Sequence, residues 1–214
     1  MTAAASLWLL SARGRSGSAR PAIACGDAVL ILICGPTGVG KTTLMARLAA
    51  AHGMGVVTTW TTRPPRPLDR FKISLDAAAY RSAALGFLWP DQRLYGHFYG
   101  EDYAQVMAAA CPSNREPWLI DMALETLGLF DAIPHRRLVL LPAELGFLAV
   151  TLARAGRPER LATAIEEEAA WRAAIAVPRL GTAMIPCRLG AAEAVAVEAA
   201  AVIGRWVPQA DSGD

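Results

Sequence analysis

The sequence predicts an α/β fold built on a parallel β-sheet, and three features indicate it. Residues 29–34 (VLILIC) are apolar at every position, which is typical of a central strand that is buried on both faces. A glycine-rich segment at 35–40 follows this run and leads into a helix-forming stretch. Strand-like and helix-like segments then alternate along the chain, as they do when helices connect parallel strands.

The remaining elements follow from the same patterns. Further strands are expected at 56–59, 118–121, 137–141 and 183–186. Helices are expected at 42–51, 80–87, 101–110, 143–156, 158–176 and 190–206. Residues 63–76 are rich in proline and arginine and are predicted to form a loop.

Composition limits the classes of protein that the chain can represent. It has 214 residues, of which 54% are hydrophobic and 19% are charged, which predicts a folded domain rather than a disordered chain. The net charge of +2 is too balanced for a protein that binds nucleic acid by bulk electrostatics, so no nucleic-acid partner is expected. No uninterrupted apolar run is long enough for a transmembrane helix, so no membrane partner is expected either.

Cysteine usage and the chain ends lead to further expectations. The cysteines at 25, 34, 111 and 187 form no C-x-x-C pair, so neither a zinc site nor a redox motif is indicated, and we expect a reducing, cytoplasmic setting. Residues 1–27 are expected to be a disordered extension rather than a secretory signal, because no basic residue precedes their short apolar segment. Residues 208–214 are expected to be a tail.

Residues 35–42 (GPTGVGKT) form a complete G-x-x-x-x-G-K-[ST] phosphate-binding loop between the predicted strand and helix. Its glycines let backbone N–H groups point at phosphate, and the helix N-terminus adds its positive dipole end. Lys41 would carry charge to the terminal phosphates, and the Thr42 hydroxyl would ligate Mg²⁺. The residues expected to bind ATP are Gly35, Pro36, Thr37, Gly38, Val39, Gly40, Lys41, Thr42 and Thr43.

A second motif, TTRPPRP at 61–67, places Arg63 and Arg66 three residues apart in a loop that three prolines stiffen. A guanidinium can grip phosphate in a bidentate manner, so the loop suits a phosphorylated acceptor. Taken alone, the same pattern also fits a solvated basic loop.

Together, GPTGVGKTTL and TTRPPRP resemble the guanylate kinase family, and the resemblance spans roughly residues 28–205. It implies a P-loop nucleoside-monophosphate-kinase-type three-layer fold with a five-stranded parallel sheet, within a domain at 28–207. An acceptor-binding insertion would occupy about 57–100, and a helical lid about 143–172.

The resemblance also implies a function and roles for individual residues. The chain would be an enzyme that transfers the γ-phosphoryl group of ATP, with Mg²⁺, to a phosphorylated small molecule, GMP being the first expectation. Arg63, Arg66 and Tyr99, the last in a stretch (YGHFYG) similar to the family's G-N-Y-Y-G, would hold the acceptor's phosphate. Thr59 would contact the base, and Asp121 would lie near Mg²⁺ and the acceptor.

The acceptor region departs from the family at two places. Trp89 and Pro90 stand where guanylate kinases have a Glu that pairs with guanine, and Asp91 is the nearest carboxylate, which we therefore assign to the acceptor site. Residues 69–76 (DRFKISLD) instead look like the related ribose 1,5-bisphosphate phosphokinases, in which case Lys72 would bind a second phosphate. Ribose 1,5-bisphosphate is therefore an alternative acceptor.

The lid departs as well. Aligned on Leu152 and Gly156, the family's lid arginines fall on Thr151 and Ala155. Arg154 and Arg157 are expected to take over their catalytic role beside Lys41 after a shift of helical phase, with Arg160 as a further candidate. The three glutamates at 166–168 are expected to form a solvated helix face. The altered lid leaves a non-catalytic guanylate kinase-like binding module as another alternative.

Overall fold

Two β-sheets and their surrounding helices make up the computed structural model, which describes residues 30–66, 69–111, 114–176 and 181–207. The strands are β1 (Leu30–Cys34), β2 (Gly55–Val56), β3 (Thr59–Thr61), β4 (Lys72–Ser74), β5 (Phe87–Leu94), β6 (His97–Asp102), β7 (Trp118–Asp121), β8 (Arg136–Pro142) and β9 (Thr182–Cys187). The α-helices are α1 (Lys41–His52), α2 (Ala77–Ala83), α3 (Tyr103–Ala109), α4 (Phe147–Arg154), α5 (Leu161–Ile175) and α6 (Ala192–Gly204). The predicted extension at 1–27 and the tail at 208–214 lie outside the described residues.

The apolar strand β1 lies at the centre of a five-stranded sheet in the order β2-β7-β1-β8-β9, and every pairing in it is parallel. This confirms the predicted parallel sheet. All five residues of β1 are fully buried, and they alternate between two hydrophobic clusters. One cluster packs against α1, α4 and α6, and the other against α3 and the Trp171 side of α5, so the sheet is the middle of three layers.

A second sheet of four strands, in the order β4-β3-β6-β5, was not expected as such. The predicted strand at 56–59 divides between the two sheets. The backbone N–H of Val57 donates to Leu119 at 2.9 Å, whereas that of Thr59 donates to Phe71 at 3.0 Å. The predicted loop at 63–76 likewise contains β4, because these residues pair in parallel with β3.

Two of the predicted helices have different bounds in the structure because the β5–β6 hairpin occupies part of their predicted ranges. Helix α2 begins after Asp76, whose carboxylate accepts hydrogen bonds from two backbone N–H groups of the first turn, and it ends before Phe87 starts β5. Helix α3 begins two residues later than expected, because β6 continues through Asp102, which then caps the helix. The hairpin is closed by Tyr95 and Gly96, both with positive φ, as in a two-residue turn of type I′.

These elements place the site. The phosphate-binding loop follows β1, and Asp121 ends β7, so both lie at the carboxyl edge of the parallel sheet, where α/β proteins bind ligands. The second sheet and the helices α4 and α5 face the same edge. None of the helices in the described ranges has the length and apolar character that crossing a membrane requires.

A substitution at Gly100 tests the packing of the second sheet. A Cβ added there would lie 2.8 Å from both the Phe87 Cβ and the Tyr80 hydroxyl oxygen. We expect Gly100→Ala to lower the free energy of unfolding by about 1–3 kcal/mol, because the overpacked hairpin must shift. The measurement is urea unfolding followed by circular dichroism.

Gly86→Ala is the matched control, because an added Cβ at Gly86 meets no atom within 4 Å. It should leave the unfolding midpoint almost unchanged. Equal destabilisation by the two substitutions would contradict the described packing between β6, Phe87 and Tyr80.

Candidate active site

One cavity of about 1370 Å³ lies between the carboxyl edge of the parallel sheet, the second sheet and the lid helices. All nine residues expected to bind ATP, 35–43, line it. So do most of the residues expected to bind the acceptor or to act in catalysis, namely Thr59, Arg63, Arg66, Lys72, Tyr99, Asp121, Arg154 and Arg157. The fold therefore brings together residues that are up to about 120 positions apart in the sequence.

The shape of the phosphate-binding loop depends on its first glycine. Gly35 has a φ of 134°, and an added Cβ would lie 2.3 Å from the carbonyl oxygen of Leu140 on β8. Gly40, at φ 104°, immediately precedes α1. The loop can therefore turn from the end of β1 into the helix and direct its N–H groups into the cavity.

Lys41 lies in the first turn of α1 and folds back over the loop. Its ammonium group donates to the carbonyl oxygens of Gly35 at 2.7 Å and Pro36 at 3.2 Å, and it lies 3.9 Å from a carboxylate oxygen of Asp121. Thr42, Asp121 and Lys72 line one recess of the cavity wall. A hydroxyl and a carboxylate are the oxygen donors that Mg²⁺ prefers, so the residues present fit this ion.

Asp121 is held between two lysines. Its other carboxylate oxygen accepts a hydrogen bond from the Lys72 ammonium at 2.8 Å, and both side chains are largely buried. Burial by itself raises the pKa of Asp121, but the charges of Lys72 and Lys41 outweigh it, so the pKa lies below the usual range. Burial lowers the pKa of Lys72, but Asp121 reverses this effect and the pKa is raised. Lys72 is therefore already neutralised by a protein carboxylate.

Arginines, two of them from the segment after β3, form a cationic cluster in the cavity. Arg63 is only 6% exposed, and its guanidinium donates to Asp69 at 2.7 Å and to the Pro64 carbonyl at 3.0 Å. Partial burial lowers the pKa of Arg66, and the charges of Arg63 and Arg157 lower it further. Mutual repulsion of this kind is relieved when an anion binds between the guanidiniums.

Arg160, the further candidate of the sequence analysis, lies at the tip of the β5–β6 hairpin. The Arg160 guanidinium lies 4.4 Å from the centroid of the Tyr95 ring, a cation–π contact. Its Nη2 atom is buried and has no hydrogen-bond partner among the described residues. Arg154, at the last turn of α4, lines the cavity but is exposed.

Glu101 is a cavity residue that the sequence analysis missed. It faces Thr59 across the β3–β6 pair, and its carboxylate accepts a hydrogen bond from the Thr59 hydroxyl at 2.9 Å. Burial raises the pKa of Glu101 to about 8, although the Thr59 hydrogen bond and the charge of Lys72 oppose this rise. The available signal was its spacing, since Glu101 follows Tyr99 by two residues and so shares its face of the strand.

Asp91, by contrast, is exposed and is not among the described residues that line the cavity. The assignment of this carboxylate to the acceptor site is therefore corrected. Its position follows from an irregularity in β5, where the register with β6 shifts between Leu88 and Gln92 and Trp89 has a φ of 50°. Trp89 lines the cavity instead and packs against Phe130, with ring centroids 4.6 Å apart.

The three lid glutamates do not share one solvated face. Glu166 is exposed and Glu168 pairs with Arg172, but the Glu167 carboxylate accepts a hydrogen bond from the backbone N–H of Thr37 at 2.5 Å. The expected solvated face is therefore wrong for Glu167. The burial of Ala164 and Trp171 fixes the rotation of α5, and Glu167 lies on the same helical side, three residues after one and four before the other.

Curated guanylate kinases are similar to this chain in sequence. The guanylate kinase of Caulobacter vibrioides is 37% identical over 101 residues, which cover 44% of this chain and 46% of the relative. That of Thermosynechococcus vestitus is 39% identical over 77 residues, which cover 33% of this chain and 40% of the relative. The matches thus span less than half the length of these relatives. No protein-family model matches the chain.

The fold is shared more widely than the sequence. The crystal structure of guanylate kinase from Anaplasma phagocytophilum superimposes with a TM-score of 0.61 at 13% identity, covering 86% of this chain and 87% of that chain. This confirms the predicted P-loop kinase fold. The chain is therefore guanylate kinase-like in part of its sequence and in its architecture.

The ion pair between Lys72 and Asp121 leads to a prediction about the free energy of unfolding. Lys72→Met leaves a buried carboxylate without its nearest cation, so we expect the free energy of unfolding at pH 7 to fall by about 3 kcal/mol. In the wild type, the lowered pKa of Asp121 contributes stability above the unfolded pKa of about 4, and this is lost as pH falls through the folded pKa. The difference between variant and wild type should therefore shrink when the pH is lowered from 7 to about 3, below the unfolded pKa, as measured by urea unfolding at these two pH values.

A double variant, Lys72→Met with Asp121→Asn, controls for the loss of side-chain packing. It removes both charges and should recover much of the stability at pH 7. A deficit of the same size at both pH values, unchanged in the double variant, would show that the ion pair is not its cause.

Proposed function

We propose that this guanylate kinase-like P-loop chain is an ATP-dependent phosphotransferase that moves the γ-phosphoryl group of ATP to a phosphorylated small molecule, with GMP as the favoured acceptor. One observation carries the proposal. The phosphate-binding loop with Lys41 and the cluster of Arg63, Arg66 and Arg157 line the same cavity. Donor and acceptor phosphates can therefore approach each other, which is the main requirement of phosphoryl transfer.

On the donor side, the loop N–H groups and the α1 N-terminus bind the phosphates of ATP. Lys41 exchanges its contacts with the Gly35 and Pro36 carbonyls for a contact with the phosphate oxygens. Thr42 would hold Mg²⁺ through its hydroxyl, and Asp121, which is paired with Lys72 and Lys41, would lie near it. The ion would neutralise charge on the phosphates. Arg157 and Arg160 extend the positive charge from the lid side of the cavity.

On the acceptor side, Arg63, Arg66 and Tyr99 bind the phosphate that receives the transferred group. Asp69 fixes the Arg63 guanidinium and also accepts the backbone N–H of Arg66 at 2.9 Å, so the loop is ordered before the acceptor arrives. The ordered loop concentrates the charge of two guanidiniums at one place. Such a concentration of charge supports an acceptor that carries its own phosphate.

The Glu101 carboxylate supports an acceptor whose base is a purine with two neighbouring N–H donors, as in guanine. Thr59 uses one of the lone pairs of the Glu101 carboxylate, and the others can accept from a ring N–H and a neighbouring amino group. Ribose 1,5-bisphosphate has no N–H group to offer. Its second phosphate would require Lys72, which is already paired with Asp121 at 2.8 Å. These contacts favour GMP over the bisphosphate.

Removal of the Lys41 charge tests the reaction. We expect Lys41→Met to lower ADP release in the presence of ATP, Mg²⁺ and GMP by a factor on the order of 10²–10³, because one preorganised charge at the phosphates is lost. The measurement is a coupled assay of ADP, with circular dichroism to show that the fold is retained.

Arg81→Met is the control, because Arg81 is an exposed cation on α2 that does not line the cavity. It should retain wild-type turnover. ADP release by Lys41→Met at the wild-type rate would refute the role of the loop. No ADP release by the wild type with either acceptor would favour a non-catalytic binding module.

A comparison of acceptors tests the role of Glu101. We expect kcat/KM to be higher for GMP than for ribose 1,5-bisphosphate, and Glu101→Gln to lower the value for GMP by about 30-fold, as for the loss of a hydrogen bond to a charged group. The KM for ATP should stay nearly constant. Asp91→Asn is the matched control and should leave both acceptors unaffected, since Asp91 is exposed outside the cavity.

The pH dependence of the KM for GMP provides a second test of the role of Glu101. A carboxylate accepts two N–H donors only when it is ionised, and the pKa of Glu101 is about 8. The KM for GMP should therefore fall as pH rises through this value, and the Glu101→Gln variant should lose this dependence. A higher kcat/KM for the bisphosphate, or a GMP reaction that ignores the substitution, would contradict the assignment.

A further inference from the structure

The Glu167 carboxylate lies at the phosphate-binding loop and accepts hydrogen bonds from three donors. The backbone N–H of Thr37 donates to Oε2 at 2.5 Å, and the Thr37 hydroxyl donates to Oε1 at 3.3 Å. The Tyr95 hydroxyl donates to the same Oε1 atom. A side chain of the lid helix α5 thus contacts both the loop after β1 and the tip of the β5–β6 hairpin.

The hairpin residue that contacts Glu167 has a left-handed backbone conformation. Tyr95 has a φ of 53°, in the left-handed region that residues with a Cβ adopt at a cost. Its ring also lies against the Arg160 guanidinium, which belongs to the same lid. The strained residue is therefore the one through which the hairpin contacts the lid, by its hydroxyl and by its ring.

The position of Glu167 conflicts with the proposed binding of ATP. Loop N–H groups are anion donors, and the Thr37 N–H is already used by a carboxylate in the cavity that the phosphates of ATP must enter. A carboxylate and a phosphate that approach the same N–H group repel each other, and a single N–H cannot bind both strongly. ATP must therefore displace Glu167 before its terminal phosphate can reach Thr37.

We propose that Glu167 is an intramolecular phosphate mimic that holds the lid on the empty loop and is displaced by the terminal phosphate of ATP. The inference rests on the proposed binding of ATP at this loop and adds an autoinhibitory contact to it. Displacement leaves the Thr37 N–H, the Thr37 hydroxyl and the Tyr95 hydroxyl as free donors at the place that the carboxylate occupied. The same groups that hold the lid without ATP then serve the incoming anion.

The test is the affinity of the whole chain for ATP with Mg²⁺, without acceptor, measured by isothermal titration calorimetry. Glu167→Ala should bind ATP about tenfold more tightly than the wild type, because a competing charge-assisted hydrogen bond is gone. Glu167→Gln should show a smaller gain, since the amide still accepts but carries no charge. Glu166→Gln, a neighbouring exposed carboxylate on the same helix, should match the wild type.

Exchange of the Thr37 amide hydrogen, followed by NMR, gives an independent readout. The amide should be protected in the ATP-free wild type and in Glu166→Gln, and it should exchange faster in Glu167→Ala. Equal or weaker ATP affinity in both Glu167 variants, or equal exchange rates, would overturn the proposal.

Lys41→Met separates this result from the proposed function. If Lys41→Met abolishes ATP binding while the Glu167 variants bind as the wild type does, the phosphate-binding loop stands and only the autoinhibitory contact fails. If Lys41→Met has no effect on ATP binding, the proposed function fails as well. ATP binding that is absent from the wild type but present in Glu167→Ala would support the contact strongly, whereas absence from both would overturn both proposals.

Discussion

The Asp121 carboxylate, held between Lys72 and Lys41, is the interaction on which the cavity depends. Asp121 ends a strand of the parallel sheet, Lys72 belongs to the second sheet, and Lys41 begins the helix after the phosphate-binding loop. Three separate parts of the fold therefore meet at one buried charge. The ion pair therefore ties the second sheet, which also packs on the parallel sheet through Leu88 and Trp89, to the carboxyl edge where the loop lies.

Short-range patterns were enough to predict the parallel sheet and the loop that β1 carries. The apolar run of β1 and the motif after it encode their own structure. The β5–β6 hairpin was missed for local reasons. Its turn has Tyr95 where an Asn or Asp usually precedes glycine, and Trp89 and Pro90 interrupt the alternation that identifies a strand. Strands β3 and β4 have three residues each, too few for a periodic signal.

The residues of the candidate site also fall into two groups, those that a local pattern predicts and those that only tertiary contacts place. Arg63 and Arg66 were predicted from a motif that fixes their spacing along the chain, and Asp121 was predicted from its place at the end of a strand. Glu101 reaches the cavity only through its register with Thr59, which depends on how β3 and β6 pair. Glu167 reaches the loop because core packing fixes the rotation of α5, and Asp91 is turned away by an irregularity in β5. Such positions follow from tertiary contacts that no local pattern contains.

The crowding of Arg63, Arg66 and Arg157 in a cavity shared with the phosphate-binding loop has a thermodynamic consequence. The first anion to enter neutralises part of the positive potential that would attract the second. For the two phosphorylated ligands proposed above, occupancy of the two halves would therefore be negatively coupled by charge, and linkage requires that each would weaken the binding of the other by the same factor. A divalent cation that accompanies one ligand restores the lost potential, so the strength of this coupling varies with the metal ion and with salt.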